Sequence, residues 1–209
     1  MLTFEQEFYS EKVNFIVGVD EAGRGPLCGP VVAACCILPK DYKNEKINDS
    51  KKLTEKKREE LYKEIVENCI DYGVGIVSPE IIDKVNIYEA TKIAMGEAIK
   101  NLKHEYQLIL TDAMPLKGYE VEVIPIIKGD AKAMCIAAAS IIAKVTRDHI
   151  LDEYDKKYPE YGFKNHKGYG TKKHIEAINK FGIIKGFYRE TYEPIKSMVF
   201  KKQLNLFDD

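Results

Sequence analysis

Short apolar runs rich in β-branched residues alternate with amphipathic helical patterns along this chain. β-Branched and aromatic residues suit a pleated, half-buried surface, so these runs predict strands. The first two strands are separated by only a short turn, so the alternation is not strictly βαβ. The sequence therefore predicts an α/β fold with a mixed central β-sheet, flanking helices and a C-terminal helical portion. The predicted strands are Phe15–Val19, Val31–Leu38, Gly73–Val77, Leu108–Thr111 and Glu120–Ile127.

Capping residues mark where the predicted helices begin. Thr54 precedes a segment with apolar residues at four-residue spacing, and Ser78 precedes Pro79 at a first helical position. Asn86 with Glu89 resembles a capping box that opens a helix to about residue 102. Two further helices are predicted, an alanine-rich one from Asp130 to about Tyr158 and another from Thr171 to about Gly182.

Composition is that of a folded protein with one core. The 209 residues are 45% hydrophobic and 31% charged, with a formal net charge of -1, which argues against a uniformly basic surface. We expect one domain over residues 1–200 and a tail over 201–209. The five cysteines contain no C-x-x-C pair, and neither a signal peptide nor a membrane-spanning run is evident. These features predict a cytoplasmic protein.

Positive charge is concentrated in two places. Such patches either contact phosphates or are solvated faces, and spacing alone leaves both open. The first patch is Lys51, Lys52, Lys56, Lys57 and Arg58, and the second is Lys164, Lys167, Lys172 and Lys173.

Acidic residues follow two predicted strands. Asp20 and Glu21 come after the first strand and Asp112 after the fourth. If the strands are in one sheet, these carboxylates can meet at its edge and hold Mg²⁺ or Mn²⁺, which prefer oxygen ligands. On the long helix, Ser140, Lys144 and Asp148 follow at intervals of four and share a face. The alternative is that Asp20 and Asp112 cap strand ends and that Asp148 is a surface acid paired with Lys144.

Several longer motifs resemble those of the ribonuclease HII family, in the same order along the chain. The residues that carry the resemblance are Asp20 to Ala34 (DEAGRGPLCGPVVAA), Asp49 to Leu53 (DSKKL), Arg58 to Leu61 (REEL), Lys128 to Asp130 (KGD), Ser140 to Asp148 (SIIAKVTRD), and Gly168 to Thr171 (GYGT) with His174.

The resemblance implies an RNase H-like fold with a C-terminal helical extension. It also implies four carboxylates, Asp20, Glu21, Asp112 and Asp148, that hold two divalent cations, Mg²⁺ or Mn²⁺. The chain departs from the usual family pattern at two positions. Where the family commonly has Thr-Asp-Gly and Gly-Tyr-Pro, this chain has alanine at 113 and glycine at 170.

An enzyme that distinguishes RNA from DNA must contact the 2′-hydroxyl group. By resemblance, Gly23, Arg24 and Gly25 supply close contacts around this group, and Tyr169 packs on the adjacent sugar. His174 either orients an acid or phosphate or packs inside a helix interface. The residues expected to contact phosphates are Lys51 and Lys52, with Ser140 and Lys144 as further candidates.

The tail resembles a peptide that binds the bacterial sliding clamp. Its glutamine and spaced hydrophobic residues are Gln203, Leu204, Leu206 and Phe207. The alternative is that the tail folds back on the domain as a last turn.

The resemblance further implies an endonuclease that cuts the RNA strand of RNA–DNA hybrids and single ribonucleotides embedded in duplex DNA, leaving 3′-hydroxyl and 5′-phosphate ends. We expect it to be monomeric. The alternative from another class is a non-catalytic hybrid-binding module tethered to a clamp. A nucleotide phosphohydrolase is disfavoured because the sequence lacks a G-x-x-x-x-G-K-[ST] loop.

Overall fold

A five-stranded mixed sheet forms the centre of the protein in the computed structural model, which describes residues 3–47 and 53–205. The strand order is β3-β2-β1-β4-β5. β1 pairs antiparallel with β2, and β2 with β3, whereas β1, β4 and β5 run parallel. The mixed sheet and all five strands predicted from the sequence are confirmed. Their bounds are Ile16–Ala22 (β1), Val31–Ile37 (β2), Asp71–Val77 (β3), Leu108–Asp112 (β4) and Glu122–Ile126 (β5).

Seven α-helices lie within the described residues, and four begin at predicted capping residues. The side chains of Thr54, Ser78, Asn86 and Thr171 each accept a hydrogen bond from a backbone N–H group in the first turn. The helices are Glu55–Asn68 (α1), Pro79–Val85 (α2), Ile87–Lys100 (α3), Met134–Lys157 (α4), Phe163–His166 (α5), Lys172–Phe181 (α6) and Ile195–Asn205 (α7).

Helix α4 lies directly on one face of the sheet, and α3 covers the opposite face. A Cβ atom built on Gly18 would lie 2.2 Å from the backbone carbon of Cys135, so only glycine allows the first turn of α4 to approach β1 this closely. The alanine run of α4 extends the close contact along the strand, as its small residues predicted. Because side chains alternate along a strand, Asp20 points to the same α4-covered face as Gly18.

The C-terminal part packs as a separate cluster against the second half of α4 and the loop between β1 and β2. Leu27 and Cys28 of that loop are buried with Leu151 of α4 and Phe187 and Tyr188 of the C-terminal segment. This arrangement confirms the predicted helical C-terminal portion. It also places the last third of the chain beside the turn Gly23–Gly25, which we call the Gly-Arg-Gly loop.

Three local predictions differ from the structure. The long helix begins at Met134 rather than at Asp130, which lies in a 3₁₀ turn over Gly129–Ala131. The capping box is only half formed, because the Asn86 N–H group donates to Ile82 at the end of α2. Helix α7 continues to Asn205, into the segment expected to be a tail. None of the helices in the described ranges is both long and apolar enough to cross a membrane.

Candidate active site

Two aspartates lie side by side on neighbouring parallel strands. The register pairs Val19 of β1 with Thr111 of β4, so the next residues, Asp20 and Asp112, are adjacent at the carboxyl ends of the strands. The turn after β5 brings in Asp130. One carboxylate oxygen from each of these three aspartates lies within 4.8 Å of the other two. Carboxylates that follow neighbouring parallel strands therefore do lie together at one edge of the sheet, as the sequence predicted.

Hydrogen bonds fix the orientation of this acidic cluster, which consists of Asp20, Asp112 and Asp130. The Gly129 N–H group donates to Asp112 Oδ1 at 2.8 Å, and the Glu21 N–H group donates to Asp20 Oδ1 at 2.7 Å. The hydroxyl of Ser140 on α4 also donates to the Asp20 carboxylate. Ser140 was predicted to contact substrate, and the structure shows it supporting a carboxylate.

The carboxyl group of Asp20 is strongly perturbed. Its side chain is 5% exposed, and burial, followed by the nearby charges of Glu21 and Asp112, raises its pKa well above the usual range. Two unit charges 4.8 Å apart repel by roughly 3 kcal/mol at an effective dielectric constant of about 20. The cluster is therefore unfavourable by itself, and a divalent cation would relieve the repulsion.

Asp148, the fourth predicted ligand, is not part of the three-oxygen cluster found among the described residues. Its carboxylate is 4% exposed and accepts a hydrogen bond of 2.5 Å from Lys144 Nζ. The pairing with Lys144 that the sequence left open is present, although Asp148 is buried rather than on the surface. Its role as a metal ligand stays a prediction.

The sequence interpretation did not identify Asp130 as a ligand, because it treated this residue as the start of a helix. The available signal was its position four residues after the end of β5. The rule that placed Asp20 and Asp112 at strand ends applies equally to a carboxylate that follows the adjacent parallel strand.

A groove with a cavity of about 350 Å³ opens beside the carboxylates. It brings Glu21 and four of the predicted substrate residues into one surface, together with Arg58 of the first basic patch. A larger cavity, of about 520 Å³, lies between a 3₁₀ helix at Phe4–Phe8 and residues 40–47, and none of the three clustered aspartates lines it. The four predicted substrate residues in the groove are Gly23, Ser140, Lys144 and Tyr169.

The Gly-Arg-Gly loop packs against two buried arginines, Arg147 and Arg189. Gly23 has a φ of +96°, and a Cβ atom there would lie 2.1 Å from Nε of Arg147. Arg147 is 1% exposed and donates to the carbonyl oxygens of Pro30, Cys28 and Lys167. Glycine is therefore required at position 23 by both conformation and space. At the surface, Arg24 forms an ion pair with Glu21 at 3.3 Å.

Tyr169 is available to a ligand, because its side chain is 52% exposed and lines the groove. Its backbone is held by His174, whose Nδ1 lies 2.9 Å from the Tyr169 carbonyl oxygen and whose Nε2 lies 2.8 Å from the Tyr188 hydroxyl. A carbonyl can only accept, so Nδ1 carries the proton and Nε2 accepts from Tyr188. Burial lowers the pKa of His174 to about 4. His174 is thus a buried packing residue, which was one of the two alternatives given by the sequence. Its hydrogen bond fixes the backbone of Tyr169.

Six predicted positions lie in or next to the segments that the structure does not describe. Lys51 and Lys52 fall outside the described residues, as do Leu206 and Phe207 of the tail. Gln203 and Leu204 lie in the last turns of α7.

Comparison with known proteins identifies the family. The family model "Ribonuclease HII" matches residues 17–194. Ribonuclease HII from Ruminiclostridium cellulolyticum is 56% identical over 183 residues, which cover 88% of this chain and 72% of that protein.

Solved structures give the same fold. The ribonuclease H2 of Pyrococcus horikoshii has a TM-score of 0.78 at 30% identity, covering 90% of this chain and 99% of that one. The Archaeoglobus fulgidus protein in a PCNA:RNase HII complex has a TM-score of 0.68 at 26% identity, covering 85% and 95%. The predicted RNase H-like fold is therefore confirmed. The matches span the sheet, the acidic cluster and the groove, and the chain belongs to the ribonuclease HII family of metal-dependent endonucleases that act on RNA–DNA hybrids.

Proposed function

We propose that this protein cuts both the RNA strand of hybrids and the strand containing a single ribonucleotide in duplex DNA, on the 5′ side of the ribonucleotide. The products carry a 3′-hydroxyl and a 5′-phosphate. One observation carries the proposal: Ser140, which donates to Asp20 of the acidic cluster, lines a groove together with Gly23 of the Gly-Arg-Gly loop and the exposed Tyr169. A cutting site next to a site able to contact a single sugar is what recognition of an isolated ribonucleotide requires.

The donor set fits magnesium or manganese. The cluster offers three carboxylate oxygens within 4.8 Å and no nitrogen or sulfur, and Glu21 lines the groove beside it. We propose that Asp20, Glu21, Asp112 and Asp148 hold two such cations, as predicted from the sequence, and that Asp130 is a further ligand. When bound, the cations supply activation of the attacking water and stabilisation of the leaving 3′-oxygen. Hydrogen bonds within the protein fix two of the carboxylates. The Gly129 N–H group donates to Asp112, and the Ser140 hydroxyl donates to Asp20.

Substrate contacts divide between the sugar and the phosphates. The N–H groups of the Gly-Arg-Gly loop face the 2′-hydroxyl, and the ring of Tyr169 packs on the sugar next to it. Lys51, Lys52 and Lys144 neutralise backbone phosphates, and Ser140 acts through Asp20. Lys144 already neutralises Asp148, so its contribution to phosphate binding is smaller than that of an unpaired lysine.

A nicking assay tests the proposed function. Two duplexes of identical sequence, one with a single ribonucleotide and one entirely of DNA, are incubated with enzyme and Mg²⁺ or Mn²⁺. We expect a single nick 5′ of the ribonucleotide and an intact DNA control. Equal cutting of both duplexes would refute the substrate preference, and binding without any cutting would favour the non-catalytic alternative. Tyr169→Ala should lower the rate at the single ribonucleotide; an unchanged rate would return this residue to a packing role.

We also propose that the C-terminal segment binds a sliding clamp. The support is the Gln203, Leu204, Leu206 and Phe207 pattern and the PCNA:RNase HII complex known for the Archaeoglobus relative. Deletion of residues 203–207 should abolish capture by an immobilised clamp and leave cleavage of a short duplex unchanged. Capture that survives the deletion would contradict the proposal.

We further propose that the protein is monomeric and cytoplasmic. All five cysteines are free, which is the state expected in a reducing compartment. Light scattering of the purified protein and fractionation of cells test the two statements separately.

A further inference from the structure

Arg189 is a fully buried cation whose partners are backbone carbonyl groups. Its side chain is 0% exposed, and no described carboxylate forms a salt bridge with it. Its Nη1 donates to the Arg24 carbonyl oxygen at 2.8 Å, and its Nη2 donates to those of Gly23 and Gly29 at 2.5 and 2.9 Å. Nε also donates to Gly29 at 3.2 Å. One guanidinium group thus binds three carbonyls of the loop that joins β1 to β2.

Backbone pairing places Arg189 beside this loop. The Arg189 N–H group donates to Leu27 at 3.0 Å, the Gly29 N–H group donates to Phe187 at 2.8 Å, and Cys28 forms an antiparallel bridge with Tyr188. The side chain of Arg189 therefore extends from a short strand-like pairing toward the Gly-Arg-Gly turn.

The geometry of the peptide bond links these contacts to the groove. In a trans peptide the C=O and N–H groups point in opposite directions. The Gly23 carbonyl shares a peptide plane with the Arg24 N–H group, and the Arg24 carbonyl shares one with the Gly25 N–H group. By binding both carbonyls, Arg189 turns both N–H groups away from itself. Neither N–H group donates to a carbonyl within the described ranges, so both are available to a ligand.

The Tyr169 ring lies against the last glycine of the loop. A Cβ atom built on Gly25 would lie 3.5 Å from Cε1 of the Tyr169 ring. The Arg24–Gly25 peptide that Arg189 binds therefore lies beside the proposed sugar-packing ring.

A tyrosine completes the arrangement. The Tyr192 hydroxyl donates to the Arg24 carbonyl oxygen at 3.0 Å, and the Tyr192 ring centroid lies 5.1 Å from the guanidinium carbon of Arg189. The Arg24 carbonyl thus accepts two hydrogen bonds from the C-terminal segment, and rotation of the Arg24–Gly25 peptide would break both.

We propose that Arg189, assisted by Tyr192, is a positioning residue that sets the Gly23–Arg24 and Arg24–Gly25 peptides and so determines the preference for a ribonucleotide over a deoxyribonucleotide. This inference rests on the proposed function of the Gly-Arg-Gly loop. It assigns a selectivity role to residues that do not touch the substrate.

The test measures selectivity rather than stability. Dissociation constants are determined by fluorescence anisotropy in metal-free buffer, so that no strand is cut, for a duplex with one ribonucleotide and for the same duplex in DNA. The ratio of the two constants is the readout. An unfolded fraction weakens both constants equally, so a purely structural defect leaves the ratio unchanged.

Tyr192→Phe and Arg189→Lys are compared with Tyr161→Phe as a matched control. Tyr161 also donates its hydroxyl to a backbone carbonyl, that of Gly182 at 3.0 Å, but away from the loop. We expect the ratio to fall about threefold in Tyr192→Phe and about tenfold in Arg189→Lys, and to be unchanged in the control, because one or several hydrogen bonds to the loop are lost.

The possible outcomes separate this inference from the proposed function. Wild-type protein without a ribonucleotide preference would refute the proposed function. A wild-type preference that Tyr192→Phe retains in full would overturn the positioning role alone. Because Tyr192→Phe keeps its ring and leaves Arg189 in place, it tests the idea even if Arg189→Lys does not fold.

Discussion

Asp130→Asn and Asp148→Asn should both weaken cation binding, and Asp148→Asn should in addition destabilise the metal-free protein because it breaks the ion pair with Lys144. A cation present at about 100 times its dissociation constant stabilises the folded state by about 2.7 kcal/mol. For a chain of this size, that raises the melting temperature by about 5 to 11 °C. Asp130→Asn removes the negative charge of one of the three converging carboxylates and should reduce this shift by more than half.

Asp148→Asn acts on the stability of the metal-free protein as well as on cation binding. It leaves Lys144, whose side chain is 31% exposed, without its charged partner, which should cost about 1 to 3 kcal/mol. We therefore expect the metal-free melting temperature to fall by about 2 to 12 °C, together with a smaller metal-dependent shift.

The assay is thermal unfolding of wild type and both variants, first with a chelator and then with saturating MgCl₂ or MnCl₂. Cleavage of a ribonucleotide-containing duplex is measured in parallel, and both variants should lose it. A full metal-dependent shift in Asp130→Asn would show that the three-oxygen geometry does not identify a ligand, and a full shift in Asp148→Asn would show that the fourth predicted ligand is wrong.

Three further predictions follow from single residues. Asp20→Asn should lower kcat at least about a thousandfold because a metal ligand is lost. It should also raise the melting temperature of the metal-free protein because a buried charge is removed. A lower melting temperature would contradict the repulsion argument. Ala113 has a φ of +55°, a conformation that glycine adopts more easily than alanine. Ala113→Gly should therefore change the free energy of unfolding, measured in urea titrations, by zero to about +1 kcal/mol. A loss of stability would show that the left-handed conformation is not strained. Burial lowers the pKa of His174 to about 4, so the folded state favours the neutral imidazole. This contribution to stability, roughly 3 kcal/mol, is complete above pH 6.5 and is lost as the pH falls toward 4. His174→Asn should flatten this pH dependence in urea titrations at pH 7 and pH 4.5, and an unchanged slope would assign the loss to other groups.

Local sequence signals predicted most of the secondary structure because they depend on nearby residues. Four caps accept the hydrogen bonds expected of them, and the β-branched runs became strands. The strand-end rule also located Asp20 and Asp112, because carboxyl ends of parallel neighbours lie at one edge of a sheet.

Long-range contacts account for what the sequence analysis missed. Arg147 and Arg189 look like surface residues in sequence, yet both are buried because their carbonyl partners come from distant parts of the chain. Asp130 was misassigned because the turn after β5, with Lys128 at a φ of +57°, redirects the backbone before α4 begins. No periodic pattern encodes either feature.

The contact between Arg189 and the Gly-Arg-Gly loop joins residues 165 positions apart, which has a consequence for synthesis. Domains are made from the N-terminus onward, and contacts between distant residues form late. The three aspartates of the cluster leave the ribosome long before residue 189, whereas the loop receives its buried guanidinium only when the chain is nearly complete. A nascent chain can therefore gather its acidic residues before its sugar-contacting loop is set, and selectivity is acquired last.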